Sequence, residues 1–499
     1  MYIKNRQNDD YTMVNLNSDL IHSLPELSKN IDWEPVYSDA YTLKNNKYQR
    51  YRLNLWQFFM LFFFSYKYQI EMPNNMVWYP FATRKGNLSF SYRSRNGFTI
   101  SMRHKQVVAT LLANIVNIIK PFSRPKLAFE KLSNRAQESG YAYFKYVQMH
   151  YPNEKLYFVI RKESPDFFKT KNMDRILIHG SFFHFYMLHR ADLFISSETP
   201  GHAYFWRENM GITANVVRTK PYVFLQHGVL GFKKLDNLFY GDRLTSPTLL
   251  ITSSAFEKNI VTSNLGFNAD KVPVTGLARW DTIDLPSERN KVRDKILIFY
   301  TWRPWLDDIT DAQFYDSQYF KHLYKVLRIL NSQCLDKQIV IMLHPKLHAA
   351  LDDQLLTNIK LWTDSDGPLN RLLSSVSAIV TDYSSISWEA YYREIPVIFD
   401  MFDQEKYIRQ VGSYIDLDSL PFGTKVTVDK TLIDAFRVIK NNDYRLTVEE
   451  LENKAKYFAY QDNNASERIH QAVQLIDMKS VKKSKNMALI SAVMRMLRR

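Results

Sequence analysis

The sequence predicts an α/β fold in which two Rossmann-like domains face a cleft, preceded by an extra N-terminal region. From about residue 126, short apolar strands such as "KLYFVI", "RILIHG" and "YVFLQHG" alternate with helical segments. The alternation stops at the charged, Pro-containing "DLPSERNKVRD" (284–294) and restarts with "KILIFYTW", "QIVIMLHP" and "SAIVTDYSS". Apolar strands interleaved with helices form parallel sheets covered on both faces, so two successive runs indicate two such domains.

We expect four regions along the chain. Residues 1–120 form an accessory region with a strand-like "GNLSFSYRS" and a helix-like "QVVATLLANIVNIIK", whose apolar residues recur at three and four. Residues 126–285 and 290–475 form the two Rossmann-like domains, and residues 477–499 form a basic tail. In doubly wound folds ligands bind beyond the carboxyl ends of the strands, so a site is expected at that edge.

Composition limits the compartment and the mode of membrane contact. The chain has 499 residues, 45% of them apolar, and its single cysteine, Cys334, cannot form an internal disulfide. The N-terminus, "MYIKNRQNDDYTMVNL", lacks the apolar core of a secretory signal. The longest apolar run, "LWQFFMLFFF" (55–64), is about half of the roughly 20 residues that span a bilayer. This favours a core strand or helix over an interfacial insertion and predicts a cytoplasmic chain.

The net charge of +15 predicts an anionic partner. No helix-turn-helix, zinc finger or RNP-like segment is present in the sequence, so nucleic acid is not expected. An anionic membrane surface and a phosphate-bearing substrate remain.

Two histidines follow predicted strands. His227, in "VFLQHGVLGFKKLD", is placed to take a proton from an alcohol nucleophile, or it hydrogen-bonds the adjoining loop. His344, in "IVIMLHPK", is followed by Pro345, which ends the strand ladder. Its imidazole is placed to donate to a phosphate oxygen, or it only caps the strand.

The stretch "IVTDYSSISWEA" (379–390) brings polar residues to the end of a third strand. Asp382 begins the turn, and Ser384 and Ser385 fall where a helix would start, which suits a diphosphate. Glu389 lies one turn further along, where its carboxylate would accept hydrogen bonds from the hydroxyls of a ribose. The alternative is an ordinary helix cap followed by a surface glutamate.

Two arginines complete the set of strand-end residues. Arg279 in "VTGLARWD" and Arg303 in "FYTWRPW" would clamp phosphate with their planar guanidinium groups. Either arginine could instead pair with a nearby carboxylate such as Asp281 or Asp307.

Seven blocks in this order resemble the CDP-glycerol glycerophosphotransferases, which include teichoic acid polymerases and primases. The blocks are "QHG…KK", "GLARWD", "YTWRPW", "LHP", "LNRLLSSVSAIVTDYSSISWEA", "IPVIFDMFDQEKY" and "DNNASERI", and they span roughly 126–475. The resemblance implies a GT-B fold with an acceptor domain at 126–285 and a CDP-donor domain at 290–475. It also implies transfer of a polyol phosphate from a CDP-polyol to a hydroxyl of a lipid-linked acceptor, with release of CMP.

The resemblance also implies roles for individual residues. His227 would be the base and His344 would contact the nucleotide phosphates, so both are expected to be catalytic. The expected substrate-binding residues are Gly228, Lys233, Arg279, Thr301, Arg303, Pro345, Asp382, Ser384, Ser385 and Glu389. No cofactor is expected, because the CDP-polyol is a substrate; no metal-ligating residues are predicted, and a requirement for a divalent cation stays open. The family usually has a threonine after the His-Gly pair, where this chain has Val229, so glycerol and ribitol both remain open as the polyol.

The tail "MKSVKKSKNMALISAVMRMLRR" predicts a basic amphipathic helix. Its apolar residues Met487, Ile490, Met494 and Leu497 share one helical face, and seven basic residues accompany them. Such a helix binds anionic lipid, which predicts peripheral attachment to the cytoplasmic face of the membrane. The alternative is a helix docked on the protein's own core. Two other functions remain open, namely a GT-B glycosyltransferase or epimerase that uses a nucleotide sugar, and a non-catalytic membrane-bound scaffold.

Overall fold

The computed structural model describes most of the chain from residue 38 onward and two short strands before it. The described residues are 2–5, 11–13, 38–44, 47–64, 68–72, 75–83, 86–120, 124–205, 207–208, 211–235, 240–241, 243–283, 285, 291–306, 309, 311–332, 336–343, 358–363, 365–426 and 429–497. They divide into two compact units. One comprises 1–224, 243–248 and 473–499, and the other comprises 225–242 and 249–472.

The first unit begins with an antiparallel sheet. Its strands are β1 (Tyr2–Asn5), β2 (Tyr11–Met13), β3 (Ser38–Lys44), β4 (Lys47–Arg50), β5 (Ile70–Met72), β6 (Met76–Ala82) and β7 (Leu88–Ser94). They lie in the order β2-β1-β3-β7-β6-β5, with β4 on β3. Trp78 stacks on Phe90 with ring centroids 4.2 Å apart in the core of this sheet.

A parallel sheet follows in the same unit. Its strands are β8 (Lys126–Phe129), β9 (Leu156–Ile160), β10 (Ile176–Ile178), β11 (Leu193–Ser196) and β12 (Tyr222–Phe224), in the order β10-β9-β8-β11-β12. The helices of this unit are α1 (Leu55–Phe64), α2 (Ile100–Ile119), α3 (Ser139–His150), α4 (Phe182–Arg190) and α5 (Ile212–Thr219). The apolar run 55–64 is therefore a helix.

The second unit contains another parallel sheet. After the short β13 (Leu249–Leu250) come β14 (Lys295–Phe299), β15 (Gln338–Met342), β16 (Ile359–Leu361), β17 (Val376–Thr381), β18 (Val397–Asp400) and β19 (Thr424–Val426). The last six lie in the order β16-β15-β14-β17-β18-β19, and each neighbouring pair is parallel. The β17 strand is buried along its whole length, as expected of a strand covered on both faces.

Ten helices are described from residue 255 onward, and all but α15 and the last residues of α14 lie in the second unit. They are α6 (Ala255–Leu265), α7 (Asp311–Asp316), α8 (Gln318–Ser332), α9 (Leu369–Leu373), α10 (Ile386–Tyr392), α11 (Gln404–Gln410), α12 (Asp429–Asn441), α13 (Val448–Tyr457), α14 (Ala465–Gln474) and α15 (Met478–Leu497). Among the described residues, no helix is both long and apolar enough to cross a bilayer.

The division into units differs from the boundary predicted at 285–290. The segment after β12 belongs to the second unit, because its backbone bonds residues far ahead in the chain. Lys234 donates its N–H to Gly412 O at 3.1 Å, and Tyr414 donates its N–H to Gly231 O at 2.9 Å. The last residues from 473 belong to the first unit.

The tail is helical, as predicted, but its first half is docked on the first unit. The Lys482 ammonium lies 2.7 Å from the Asp192 carboxylate, and Lys485 donates to Lys220 O at 3.3 Å. Burial lowers the pKa of Lys485 to about 8. Both lysines therefore make contacts within the first unit, as in the alternative of a docked helix, and membrane attachment through the tail stays a prediction. Met487 is exposed, while the side chains of the remaining predicted face lie outside the described residues.

Candidate active site

The His-Gly turn presents one imidazole from an otherwise buried segment. His227 is exposed, whereas Gln226 and Gly228 on either side of it are buried. Gln226 has a φ of 61°, a left-handed conformation that is uncommon for a residue with a side chain. Lys233 in the same segment is exposed as well. The structure thus directs His227 outward, as a proton acceptor requires.

The turn lies directly against the serine pair of "DYSSISWEA". A Cβ on Gly228 would come within 2.8 Å of Ser385 Oγ, so only glycine allows this approach without a shift. Ser385 is exposed, and its hydroxyl makes no hydrogen bond to any of the described residues. Ser384 Oγ accepts the Ile386 N–H at 3.3 Å. Two of the predicted blocks therefore meet, with one hydroxyl available to a ligand beside the His227 turn.

Glu389 is the centre of a buried ionic cluster. Its Oε2 accepts bonds from Arg279 NH2 at 2.7 Å and from Trp280 Nε1 at 2.9 Å, and Arg393 Nε lies 3.5 Å from its Oε1. Burial acts to raise the pKa of Glu389, but Arg279, Arg393 and the Trp280 bond outweigh it and hold the pKa below its ordinary value. Glu389 is therefore ionised and inward-facing. Its predicted contact with ribose stays a prediction that would involve Oε1, which has no hydrogen bond among the described residues.

The "GLARWD" block connects two other blocks. Arg279 pairs with Glu389, as above, while Asp281 accepts the Ala465 and Ser466 N–H groups at 2.8 and 2.7 Å. Asp281 thereby caps helix α14 in "DNNASERI". Arg279 is thus paired with a carboxylate, as the sequence had left open, but with Glu389 instead of Asp281.

Arg303 is a core residue in this structure. Its guanidinium is fully buried and bonds Asp403 through Nε at 2.8 Å and NH2 at 2.9 Å, and Asp382 through NH1 at 2.6 Å. The backbone N–H of Thr301 donates to the same Asp382 carboxylate at 3.0 Å. With its donors used in this way, the geometry favours a role of Arg303 in holding Asp382 and Thr301 in place, and its predicted contact with phosphate stays a prediction.

Of the remaining predicted residues, Thr301 is described by the structure, whereas His344 and Pro345 are not. Thr301 Oγ1 is buried and has no hydrogen-bond partner among the described residues, so it remains a candidate donor to a ligand. His344 and Pro345 lie outside the described residues, and their roles stay predictions. Within the described part of the chain, no group of three or more His, Cys, Asp or Glu side chains is arranged to hold a metal ion.

Two carboxylates of this region were not recognised from the sequence. Asp403 binds Arg303, and it follows a strand in "VIFDMFDQEKY", so its strand-end position was a usable signal. Glu257 is fully buried and accepts a hydrogen bond of 2.9 Å from the side-chain Nε2 of Gln226, the residue that precedes His227. It lies in the first turn of a helix, where a glutamate is common and attracts no attention.

Parallel sheets with polar residues at their carboxyl ends define a doubly wound α/β protein of the GT-B class. The wall teichoic acid polymerase TagF shares this fold, with a TM-score of 0.53 and 18% sequence identity over 78% of this chain and 97% of TagF. The predicted fold class, with its extra N-terminal region, is confirmed.

The chain belongs to the CDP-Glycerol:Poly(glycerophosphate) glycerophosphotransferase family, whose model matches residues 112–475. The resemblance drawn from the seven blocks is thus confirmed. The chain is 23% identical to the minor teichoic acid biosynthesis protein GgaB of Bacillus subtilis (strain 168) over 454 residues, which are 85% of this chain and 48% of GgaB.

A second relative is a teichoic acid glycerol-phosphate transferase of Staphylococcus aureus (strain NCTC 8325 / PS 47). It is 26% identical over 261 residues, which are 49% of this chain and 62% of that protein. The chain therefore spans about half the length of GgaB and less than two thirds of this transferase.

Proposed function

We propose that this chain transfers a polyol phosphate, either glycerol phosphate or ribitol phosphate, from a CDP-polyol to a hydroxyl of a lipid-linked acceptor in teichoic acid or related cell-surface polymer synthesis. Family membership supports this class of reaction, and a TagF variant with the same fold has been soaked with CDPG. The observation that carries the proposal is the approach of Gly228 to Ser385, which brings the turn that carries the exposed His227 next to an available hydroxyl.

The acceptor alcohol attacks the β-phosphorus of the CDP-polyol. A new P–O bond forms to the acceptor oxygen, the bond from that phosphorus to the bridging oxygen breaks, and CMP leaves with the electron pair. His227 takes the proton of the alcohol, a contribution of typically ~10²–10⁴-fold. Beyond that, the protein has mainly to align and neutralise charge.

The donor phosphates would be held by hydroxyls and exposed cations instead of by Arg303. Ser385 and Thr301 offer hydroxyls without internal partners among the described residues, and Lys233 is exposed after the His-Gly turn. His344 would steady the departing CMP. Arg279 would act indirectly, by keeping Glu389 ionised and in place for the ribose.

The activity test measures CMP release by the purified chain. CDP-glycerol, CDP-ribitol and UDP-N-acetylglucosamine are compared as donors, with a lipid-linked acceptor analogue. We expect turnover with a CDP-polyol, and we expect protection against thermal unfolding by CDP but not by UDP. His227→Ala should abolish turnover and keep the protection by CDP. Turnover of the UDP-sugar alone would favour the glycosyltransferase alternative, and protection without turnover would favour the scaffold.

A second part of the proposal is contact with an anionic membrane surface through helix α2. The polar side chains in the second half of this helix face the protein and not the solvent. Thr110 Oγ1 is 3.0 Å from His189 Nε2, and Arg190 Nη1 donates to Asn117 Oδ1 at 2.7 Å. The opposite face is apolar and exposed, with Val107, Val108, Leu111, Leu112, Ile115, Ile118 and Ile119. An exposed apolar stripe, with the exposed Lys105 and Lys120 on and just after the same helix, suits the interface of an anionic bilayer.

Flotation with vesicles of anionic and of neutral lipid tests this contact. Leu111→Glu with Ile115→Glu should reduce binding to anionic vesicles, while a chain ending at Ile476 should keep most of it. Val438→Glu is the control, since Val438 is equally exposed on helix α12 of the second unit. Equal binding by the double variant and the wild type would contradict a role for α2.

A further inference from the structure

The turn that carries His227 is held on both sides by one buried carboxylate. Glu257 Oε1 accepts the side-chain N–H of Gln226 at 2.9 Å and the backbone N–H of Leu230 at 2.7 Å. These two residues enclose His227, Gly228 and Val229. Glu257 Oε2 accepts the Ser253 N–H at 2.6 Å, which ties the turn to the start of helix α6.

The position of Glu257 follows from the beginning of α6. Ser254 is the N-cap, and its hydroxyl accepts the Glu257 N–H, which makes Glu257 the third residue of the helix. A glutamate at this position usually bonds the N-cap N–H of its own helix. Here one oxygen bonds the residue before the cap instead, and the other reaches the His-Gly turn.

A carboxylate in this place is unfavourable on its own. Glu257 is fully buried, and no lysine or arginine among the described residues forms an ion pair with it. Burial raises the pKa of Glu257 to about 7, although the N–H groups of Ser253 and Leu230 act in the opposite direction. A buried carboxylate without an ion-pair partner lowers stability compared with an apolar side chain, so the hydrogen bonds from Gln226, Leu230 and Ser253 have to offset that cost.

The backbone of the turn needs such support. Gln226 is held in the left-handed region at a φ of 61°, which persists only when surrounding contacts enforce it. Two hydrogen bonds hold the Gln226 side chain, because Nε2 donates to Ile251 O at 3.0 Å as well as to Glu257 Oε1. This conformation directs His227 out to solvent while its neighbours stay buried.

We propose that Glu257 is the positioning residue of the active site: it holds the Gln226–Leu230 turn in the one conformation that presents His227 to the acceptor hydroxyl. The assignment rests on the proposed function for its effect on catalysis, but the order of the turn is measurable without turnover. In Glu257→Gln, the side-chain NH2 replaces one of the two carboxylate oxygens. That NH2 then faces either the Ser253 N–H or the N–H groups of Gln226 and Leu230, and because two donors cannot bond each other, at least one hydrogen bond is lost.

The experiment compares Glu257→Gln with a matched variant of the full chain. Glu130→Gln is the control, because Glu130 is also fully buried and also accepts three N–H groups, in its case all from the backbone, of Gln137, Glu138 and Tyr141. None of those partners lies in the turn 226–230. Hydrogen exchange of peptides covering 225–235 is measured for both variants, together with kcat and KM for the CDP-polyol and protection by CDP.

We expect faster exchange in 225–235 for Glu257→Gln only. Its kcat should fall ~10²-fold, as a small misplacement of a reacting group produces, with KM and CDP protection within about twofold of the wild type. In the double variant with His227→Ala, Glu257→Gln should cause no further loss of kcat, since both changes act through the His227 imidazole.

Several outcomes would overturn the assignment. They are unchanged exchange in 225–235 of Glu257→Gln, an equal loss of kcat in Glu130→Gln, or additive losses in the double variant with His227→Ala. If the wild type turns over no CDP-polyol, the proposed function fails. Faster exchange in Glu257→Gln would then still support its role in ordering the turn.

Discussion

Gly228 and Ser385 approach so closely that a methyl group on the glycine would lie 2.8 Å from Ser385 Oγ and 3.0 Å from its Cβ. Gly228→Ala should therefore push the His227 turn away from the serine pair. We expect a loss of about 1–3 kcal/mol in the free energy of unfolding, as overpacking typically costs. Urea unfolding measures the loss of stability, and CMP release should fall at the same time.

Space made on the opposite side tests the cause of this effect. Ser385→Gly removes both atoms that a Cβ on Gly228 would meet, so Gly228→Ala with Ser385→Gly should regain most of the lost stability. Activity should remain low, because the Ser385 hydroxyl is gone. Additive destabilisation in the double variant would show that the two residues do not meet.

Arg303 should behave as a structural residue. It is fully buried between Asp382 and Asp403, and removal of one partner from a buried ionic cluster typically costs about 3–5 kcal/mol. We expect Arg303→Met to lower the free energy of unfolding by that amount, since two carboxylates are left uncompensated. Urea unfolding of the full chain measures it.

An exposed ion pair provides the comparison for Arg303. Arg437 and Asp434 are 2.9 Å apart on the surface of α12, so Arg437→Met should cost less than about 1 kcal/mol. A stable Arg303→Met chain that is no longer protected by CDP would refute the structural role. Arg303 would then contact the donor, as the strand-end position suggested.

Glu389 should respond to loss of charge more than to loss of length. Glu389→Gln keeps the shape but leaves Arg279 and Arg393 facing a neutral group, so we expect a loss of about 1.5–3 kcal/mol in the free energy of unfolding. Glu389→Asp keeps the charge and should lose less. Unfolding and protection by CDP are measured for both variants, and equal losses would mean that charge is not the controlling property.

The alternation of apolar strands with helical segments was enough to predict both parallel sheets. Strands 295–299 and 376–381 were recognised as continuous apolar runs, and they pair in the centre of the second sheet. The unit boundary was not predictable in the same way. Gly231 bonds Tyr414, more than a hundred residues further along, and local patterns contain no information about such a contact.

The sequence identified residues of the candidate site, but it did not show which side chains they would contact. His227 and Ser385 were recognised because both follow strands, and the ends of strands converge. The same signal identified Arg303, but it could not show that Asp382 and Asp403 would enclose the guanidinium. Whether an arginine at a strand end faces a ligand or pairs with buried carboxylates depends on packing among residues distant in the chain.

The stability of the first unit should depend on pH through Glu130. Burial raises the pKa of Glu130 to about 8, from an ordinary value of 4.5, although three backbone N–H groups oppose the shift. Between those two values the folded chain holds a proton that the unfolded chain releases, so stability from this group falls as pH rises. Each unit of pKa difference corresponds to about 1.4 kcal/mol.

Glu130→Gln removes this titration, so the variant should gain stability relative to the wild type as the pH is raised from 5 to about 8. Urea midpoints at several pH values measure the difference, with exposed Glu405→Gln as the control. If the difference instead shrinks as the pH rises, the carboxylate is ionised throughout. The N–H groups of Gln137, Glu138 and Tyr141 would then outweigh burial, and Glu130 would act as a charged cap of helix α3.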